Sequence, residues 1–160
     1  MIAAAALVVS LCSLLISVYF WTRSFRPIVS VAVKTHAAGS EAILFDLVVL
    51  NSGTIPARNI SIRATEKSLN SAFGSDVSAE NKERWLACFN RTIILLQNGD
   101  RTSCSFGTTK ANNAGFWKHD AIISTTITYE GWFPGWFWRY KDEQDIQITD
   151  SDNFTGYSWG

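Results

Sequence analysis

The feature that most constrains this chain is an uninterrupted uncharged segment near its start, Ile2 to Trp21. At about 1.5 Å per residue, a helix of this length spans about 30 Å, which matches the hydrocarbon core of a bilayer. A cleaved secretory signal would need a basic region before the apolar run and small residues at a cleavage site, and neither is present. The sequence therefore predicts a single transmembrane helix in an anchor over residues 1–26, followed by a domain over 27–150 and a tail over 151–160.

The end of this segment carries the residue types that favour a membrane interface. Tyr19, Phe20 and Trp21 stand where an aromatic belt is expected, and Arg23 and Arg26 follow at the level of lipid headgroups. The more basic flank of a span usually remains in the cytoplasm. The sequence thus predicts a single-pass membrane protein whose domain lies on the cytoplasmic face.

Small side chains recur along one side of the predicted helix, at steps of three and four residues. This stripe consists of Ala3, Ala6, Ser10, Ser13 and Ser17. In lipid, small residues let two helices approach closely, and serine hydroxyls can bond across the contact, which predicts docking to an integral membrane protein. The alternative is that alanine and serine are common in any such helix and that the hydroxyls bond back to their own backbone.

Charge and composition limit the class of the remaining chain. The 14 basic and 14 acidic residues cancel, so no net charge favours nucleic acid as a partner. A content of 47% hydrophobic and 13% aromatic residues excludes intrinsic disorder. The length after residue 26 suits one hydrophobic core and is too short for two ordinary domains.

Alternating apolar and polar residues separated by turn residues predict strands throughout this part of the chain. The expected strands are Val29 to Val33, Glu41 to Leu50, Asn59 to Arg63, Thr92 to Leu96, Thr102 to Phe106, Ile123 to Tyr129 and Trp136 to Ile148. Between the third and fourth, Ser78 to Phe89 predicts a short helix with Ser78 as N-cap, and Thr65 to Val77 predicts a loop. The predicted fold is an all-β, antiparallel sandwich of about seven strands with one inserted helix.

Two turns carry a family resemblance. The run Leu47 to Ile60 (LVVLNSGTIPARNI) resembles the "strand, N-x-G, x-x-P-A" step of CARDB-like immunoglobulin-like domains of bacterial adhesion-related proteins. Leu95 to Asp100 is similar to their L-x-P-G-E/D hairpin, with Gln97-Asn98 in place of the usual proline. A single span before such a domain also resembles small bacterial membrane proteins. The resemblance implies an immunoglobulin-like fold and no activity, since its motifs are turn chemistry.

Candidate ligands for metal or catalytic chemistry are sparse. His36 and His119 have no partner at ligand spacing, and Cys88 and Cys104 lie on different predicted elements. The two cysteines could pair if the domain were exported. The acidic tail from Asp150 departs from the calcium-loop pattern in the positions of its glycine and its final glutamate. We therefore predict no catalytic, metal or cofactor site and no small-molecule substrate.

An aromatic hairpin is the strongest anomaly of the sequence. Its large rings include Trp132, Phe133, Trp136 and Trp138. Strand alternation places about half of them inward, and exposed aromatic tips otherwise meet a membrane interface, a sugar or a protein. Because successive strands run antiparallel, the turns after the second, fourth and sixth strands should share the end of the domain at which the N-terminal segment enters.

These features together predict a non-enzymatic accessory or scaffold subunit of a larger membrane assembly. The predicted contact residues are the small stripe of the N-terminal helix and the aromatic hairpin tip. The alternative is a membrane-anchored module that binds a carbohydrate or a peptide by stacking it on the Trp-rich hairpin.

Overall fold

The fold was analysed in a computed structural model that describes residues 2–131 and 139–151, without the side chains of residues 2–5 and 23. The helices are α1 (Ile2–Ser24), α2 (Glu66–Ala72) and α3 (Ala79–Trp85), and 3₁₀ helices occupy Ala87–Asn90 and Ala111–Asn113. The strands are β1 (Val29–Ala38), β2 (Ala42–Asn51), β3 (Ala57–Ala64), β4 (Thr92–Leu96), β5 (Arg101–Lys110), β6 (Ile122–Glu130) and β7 (Arg139–Gln147).

The strands form two antiparallel sheets, with strand orders β1-β2-β5 and β4-β3-β6-β7. In the first sheet Val31 pairs with Val49, and Leu47 pairs with Cys104. In the second, Ile62 pairs with Ile127. Each predicted strand is present, and the mostly-β prediction is confirmed. Two antiparallel sheets are consistent with a β-sandwich.

One hydrophobic core joins the two sheets. Strand alternation supplies most of it, because every second side chain of a strand points to the same face. Its fully buried side chains include Val29, Phe45, Leu47, Ile60, Phe106, Phe116, Trp117, Ile123, Ile127 and Ile148. The ring nitrogen of Trp117 donates a hydrogen bond to the Phe106 carbonyl, so its polar atom is satisfied within the core.

The two sheets are also joined through one side chain along their β1 and β7 edges. The Gln144 side chain of β7 accepts a hydrogen bond from the Val31 amide at 3.0 Å and donates one to the Val29 carbonyl at 3.2 Å. A side-chain amide can replace a strand partner in this way because it carries both a donor and an acceptor. The edge strands β1 and β7 are thus held together.

The segment between β3 and β4 contains more helix than the sequence predicts. The predicted Ser78 cap is confirmed, because the Ser78 side chain accepts a hydrogen bond from the Asn81 amide at 3.1 Å. The loop predicted over Thr65 to Val77 is wrong, since α2 lies within it. Burial of Ala72 and the packing of Leu69 against the core stabilise this turn of helix despite its polar sequence.

The N-terminal prediction requires correction. No helix in the described part of the chain combines the length and the apolar content needed to cross a membrane. The helix α1 ends in the polar residues Thr22, Arg23 and Ser24. The predicted transmembrane anchor, the membrane localisation with its cytoplasmic orientation, and the belt role given to Tyr19, Phe20, Trp21, Arg23 and Arg26 are therefore wrong.

Candidate functional site

The described surface of α1 is almost entirely exposed and apolar. Its exposed large side chains are Leu7, Val8, Val9, Leu11, Leu14, Leu15, Ile16, Val18, Tyr19, Phe20 and Trp21. At 100° per residue these positions cover the helix except for the side that carries Ala6, Ser10, Ser13 and Ser17. Leu7 is 71% exposed, and none of the described α1 side chains belongs to the core of the two sheets. A contiguous apolar surface of this kind marks a place of contact with another molecule.

The small-residue stripe lies on this exposed helix. The Ser10 hydroxyl donates to the Ala6 carbonyl at 2.9 Å, and the Ser17 hydroxyl donates to the Ser13 carbonyl at 2.8 Å. These two hydroxyls therefore behave as in the alternative interpretation, bonding within their own helix. Ala3 lies on α1, and its side chain is outside the described set. The small side chains of the stripe would let a partner helix approach closely. The Ser10 and Ser17 hydroxyls already donate within α1 and are not offered to a partner.

Aromatic rings occupy the C-terminal turns of α1. The Tyr19 and Phe20 rings meet edge to face with centroids 5.8 Å apart, and Trp21 packs on Phe25 at 5.5 Å. The Thr22 hydroxyl donates to the Tyr19 carbonyl. Tyr19, Phe20 and Trp21 nevertheless stay more than half exposed. This end of the helix adds aromatic contact area next to the sheets.

A turn between β2 and β3 holds the chain where α1 ends. The Thr54 hydroxyl donates to the Ser24 carbonyl at 3.1 Å, and the Thr54 amide donates to the Arg26 carbonyl at 3.2 Å. A Cβ on Gly53 would overlap the Arg26 carbonyl oxygen and the Ile28 nitrogen, so only glycine fits at this position. The exit of α1 is thus fixed by backbone contacts to the sandwich end.

Asn51 organises the same end from within. It is fully buried, and its Oδ1 accepts from the Ile28 amide at 3.2 Å and the Gly53 amide at 3.0 Å. Its Nδ2 donates to the Ile55 carbonyl at 2.9 Å and to the Leu96 carbonyl at 3.2 Å. One side chain therefore ties the start of β1, the β2–β3 turn and the end of β4 together.

The β4–β5 turn and the end of β6 meet there too. The Gly99 amide donates to the Asn51 carbonyl at 2.8 Å, and Gly99 has the positive φ of 74° that favours glycine. A Cβ at Gly131, directly after β6, would lie 3.4 Å from Pro27 Cδ and 3.6 Å from Ile55 Cδ1. The β2–β3 turn, the β4–β5 turn and Gly131 therefore share the end where α1 enters, as predicted, and the rest of the third predicted turn, residues 132–135, lies outside the described residues.

The aromatic tip predicted as a contact site falls outside the described residues, so the positions of Trp132, Phe133, Trp136 and Trp138 are not assigned. The described β6–β7 ladder leads directly into this segment, with Glu130 paired to Arg139.

A tyrosine–carboxylate pair lies on this β6–β7 ladder. The hydroxyl of the buried Tyr129 donates to Asp142 Oδ2 at 2.5 Å, and its ring stacks on Tyr140 with centroids 5.3 Å apart. Burial raises the pKa of Tyr129 far above its usual value, and the hydrogen bond and charge of Asp142 raise it further. The pair keeps a phenol protonated beside a carboxylate and gives the ladder a pH-sensitive contact.

Metal-binding geometry is absent from the part of the chain that the structure describes, where no three His, Cys, Asp or Glu side chains come together. His36 Nδ1 lies 2.9 Å from Asp46 Oδ2, and His119 Nδ1 lies 2.8 Å from Asp120 Oδ2. Each is an isolated surface pair.

Sequence reasoning missed two other features: the buried Asn51 amide, for which the N-x-G motif was the signal, and the contact between Cys88 and Cys104, for which no sequence signal exists.

Comparison with known proteins gives a family and no functional precedent. No curated protein and no solved structure matches the chain. The family model described as "Domain of unknown function (DUF8453)" matches residues 1–152, which include both α1 and all seven strands. Because the match covers nearly the whole sequence, the chain belongs to this family.

Proposed function

We propose that this protein is a non-enzymatic accessory or scaffold subunit that docks its helix α1 among the helices of a partner protein. The observation that carries the proposal is the exposed apolar surface that covers most of the circumference of α1. Exposing such a surface to water is unfavourable by about 25 cal/mol per Å², so covering it provides the free energy for association.

The distribution of apolar side chains around α1 limits the kind of protein that can bind it. A helix with one apolar stripe suits a groove, whereas a helix that is apolar over most of its circumference needs cover from several directions. Leu7, Val8 and Val9 already point in three directions around α1. The fitting partner is a protein that presents two or more helices, and the small stripe around Ser10 and Ser13 is where one of them approaches most closely.

The strand order supports an immunoglobulin-like scaffold behind this helix. In constant-type immunoglobulin domains, the fourth strand along the chain belongs to the same sheet as the first, second and fifth strands. Here β4 lies beside β3 instead, as an added strand does in variable-type domains. The N-x-G turn that carries the CARDB-like resemblance lies at the α1 exit, where Asn51 and Gly53 fix the helix to the scaffold.

A crosslinking experiment tests the site. A photoreactive residue placed at Ser13 in cells should give a defined adduct, which mass spectrometry identifies. The purified adduct partner should bind the wild-type protein, and Ser10→Leu with Ser13→Leu should weaken that binding about tenfold, because bulk on the stripe separates the helices. Val8→Leu with Cys12→Leu adds bulk on the opposite side of α1 and serves as the matched control.

Three outcomes of these experiments would contradict the proposal or favour its alternative. Equal affinity of the stripe variant and wild type would remove the stripe from the interface. Binding to lipid vesicles with no protein adduct would contradict a protein partner. A change in tryptophan fluorescence on addition of a glycan, without an adduct, would favour the alternative of a ligand-binding module built on the Trp-rich hairpin.

A further inference from the structure

Two cysteine side chains that are distant in the sequence meet on one side of the molecule. Cys88 lies in the 3₁₀ helix Ala87–Asn90, and Cys104 lies in β5. Both are half-buried and pack against the core, and both are free thiols. The Cys88 thiol lies beside the Cys104 sulfur and can donate a hydrogen bond to it, and it also lies 3.8 Å from the Trp85 carbonyl oxygen, an alternative acceptor. The two sulfur atoms are therefore neighbours before any oxidation.

The pair lines a cavity of about 300 Å³ that both sheets contribute to. Leu47 of β2 and Ile62 of β3 form apolar parts of its wall. Arg91, Thr92 and Ser103 also line it and are exposed, so the cavity opens to solvent. A small reagent can reach the thiols from this side.

The two thiols have different reactivity. The hydrogen bond from Cys88 lowers the pKa of Cys104, although burial and the Asp46 carboxylate oppose this effect. The same hydrogen bond, together with burial, raises the pKa of Cys88. Cys104 is therefore the attacking sulfur and Cys88 the resolving one.

We propose that Cys88 and Cys104 form a reversible intramolecular disulfide on reaction with a low-molecular-weight disulfide oxidant. The Cys104 thiolate attacks one sulfur of the oxidant, which expels one small thiol and leaves a mixed disulfide on Cys104. The Cys88 sulfur, losing its proton to solvent, then attacks the Cys104 sulfur and expels the second small thiol. The protein loses two protons and two electrons, and one disulfide reagent becomes two thiols.

The bond would connect the two sheets at their unpaired edges. β5 is the edge of the first sheet and β4 is the edge of the second, and the 3₁₀ helix that carries Cys88 packs on β3 of the second sheet. Oxidation would close the mouth of the cavity and constrain the segment between the two cysteines.

The test uses the full chain with Cys12→Ser, which removes the third thiol. The folded protein is incubated with oxidised glutathione, remaining thiols are alkylated, and mass spectrometry with non-reducing peptide mapping identifies the products. We expect a Cys88–Cys104 disulfide, reversal by dithiothreitol, and an increase in Tm on the order of 10 °C. With Cys88→Ser the reaction should stop at a glutathione adduct on Cys104.

A control that shifts one thiol by a single residue tests the geometry. Cys104→Ser with Ser105→Cys keeps two cysteines, but neighbouring residues of a strand point to opposite faces, and the exposed Ser105 does not line the cavity. This variant should give adducts without ring closure, while circular dichroism verifies its fold. Wild-type protein that remains reduced or only accumulates adducts would overturn the proposal. Equally fast ring closure in the shifted variant would also overturn it, because closure would then not depend on the folded contact.

Discussion

At the residue scale, the N-x-G turn shows how one polar side chain can organise the end of a sandwich. Asn51 is buried and uses both its amide nitrogen and its amide oxygen, while Gly53 allows the chain leaving α1 to pass in contact with the turn. A buried polar group is tolerated only when its hydrogen bonds are made, and here they connect segments that are distant in the sequence. The turn therefore reverses the chain and also acts as a junction, because Asn51 connects the start of β1 to the end of β4.

We expect Asn51→Ala to lower the free energy of unfolding by about 3 kcal/mol, because it leaves the Ile28 and Gly53 amides without their buried acceptor. Asn51→Asp should be comparably unstable, since its carboxylate would face the Leu96 carbonyl instead of donating to it. Urea unfolding followed by tryptophan fluorescence measures both. Ser52→Ala, at an exposed neighbour, should change stability by less than about 0.5 kcal/mol. Equal stabilities for Asn51→Ala and Ser52→Ala would contradict the junction role.

The Tyr129–Asp142 contact predicts a dependence of stability on alkaline pH. The folded protein raises the pKa of Tyr129, so the phenol stays protonated when the unfolded chain has lost its proton. Its contribution to stability is complete below about pH 10, the usual pKa of tyrosine, and is lost as the pH rises above that value. The free energy of unfolding should therefore decrease more steeply above about pH 10 in wild type than in Tyr129→Phe.

Urea unfolding over an alkaline pH series measures this difference. Asp142→Asn, which removes the charge but leaves the burial of Tyr129, should lose less stability in total than wild type over this pH range and more than Tyr129→Phe, because burial is the larger cause of the shift. Parallel pH dependences for wild type and Tyr129→Phe would show that Tyr129 contributes nothing to alkaline instability.

At the element scale, the strands were predictable because alternation is a local property. The Val29 to Val33 and Ile123 to Tyr129 patterns bury alternate residues, which is what their sequences predict. The Ser78 cap was predictable for the same reason. The helix α2 was not, because its sequence is polar and its stability depends on contacts of Leu69 and Ala72 with distant elements.

The contacts that hold the two sheets together also could not be predicted from the sequence. Gln144 is a polar residue in an alternating strand, and nothing in its neighbourhood along the sequence indicates that it bonds to Val29 and Val31 across the sheets. The Cys88–Cys104 contact likewise depends on how the 3₁₀ helix is placed over β5. Local pattern thus predicted the elements, whereas the contacts between them required the three-dimensional structure.

At the scale of the whole molecule, two parts with different surfaces are joined at one defined end. The two sheets bury their own core, whereas the described apolar side chains of α1 are exposed and none of them contributes to that core. The family match nevertheless includes both parts. This combination favours a division in which the sheets provide stability and α1 provides the contact with a partner. The prediction that the N-terminal segment crosses a membrane depended on the length of its uncharged run and on the residues that flank it, and it was wrong.

This division predicts the result of removing residues 1–24. Such a truncation deletes the acceptor of the Thr54 hydroxyl, the Ser24 carbonyl, while the Thr54 amide bond to Arg26 and the burial of Pro27 remain. We therefore expect the truncated protein to unfold cooperatively, with a free energy of unfolding within about 1 kcal/mol of the full chain. It should also fail to bind the partner identified by crosslinking at Ser13, because the exposed apolar surface has gone. Loss of cooperative unfolding would instead make α1 part of the folded core, and retained partner binding would move the interface to the sheets.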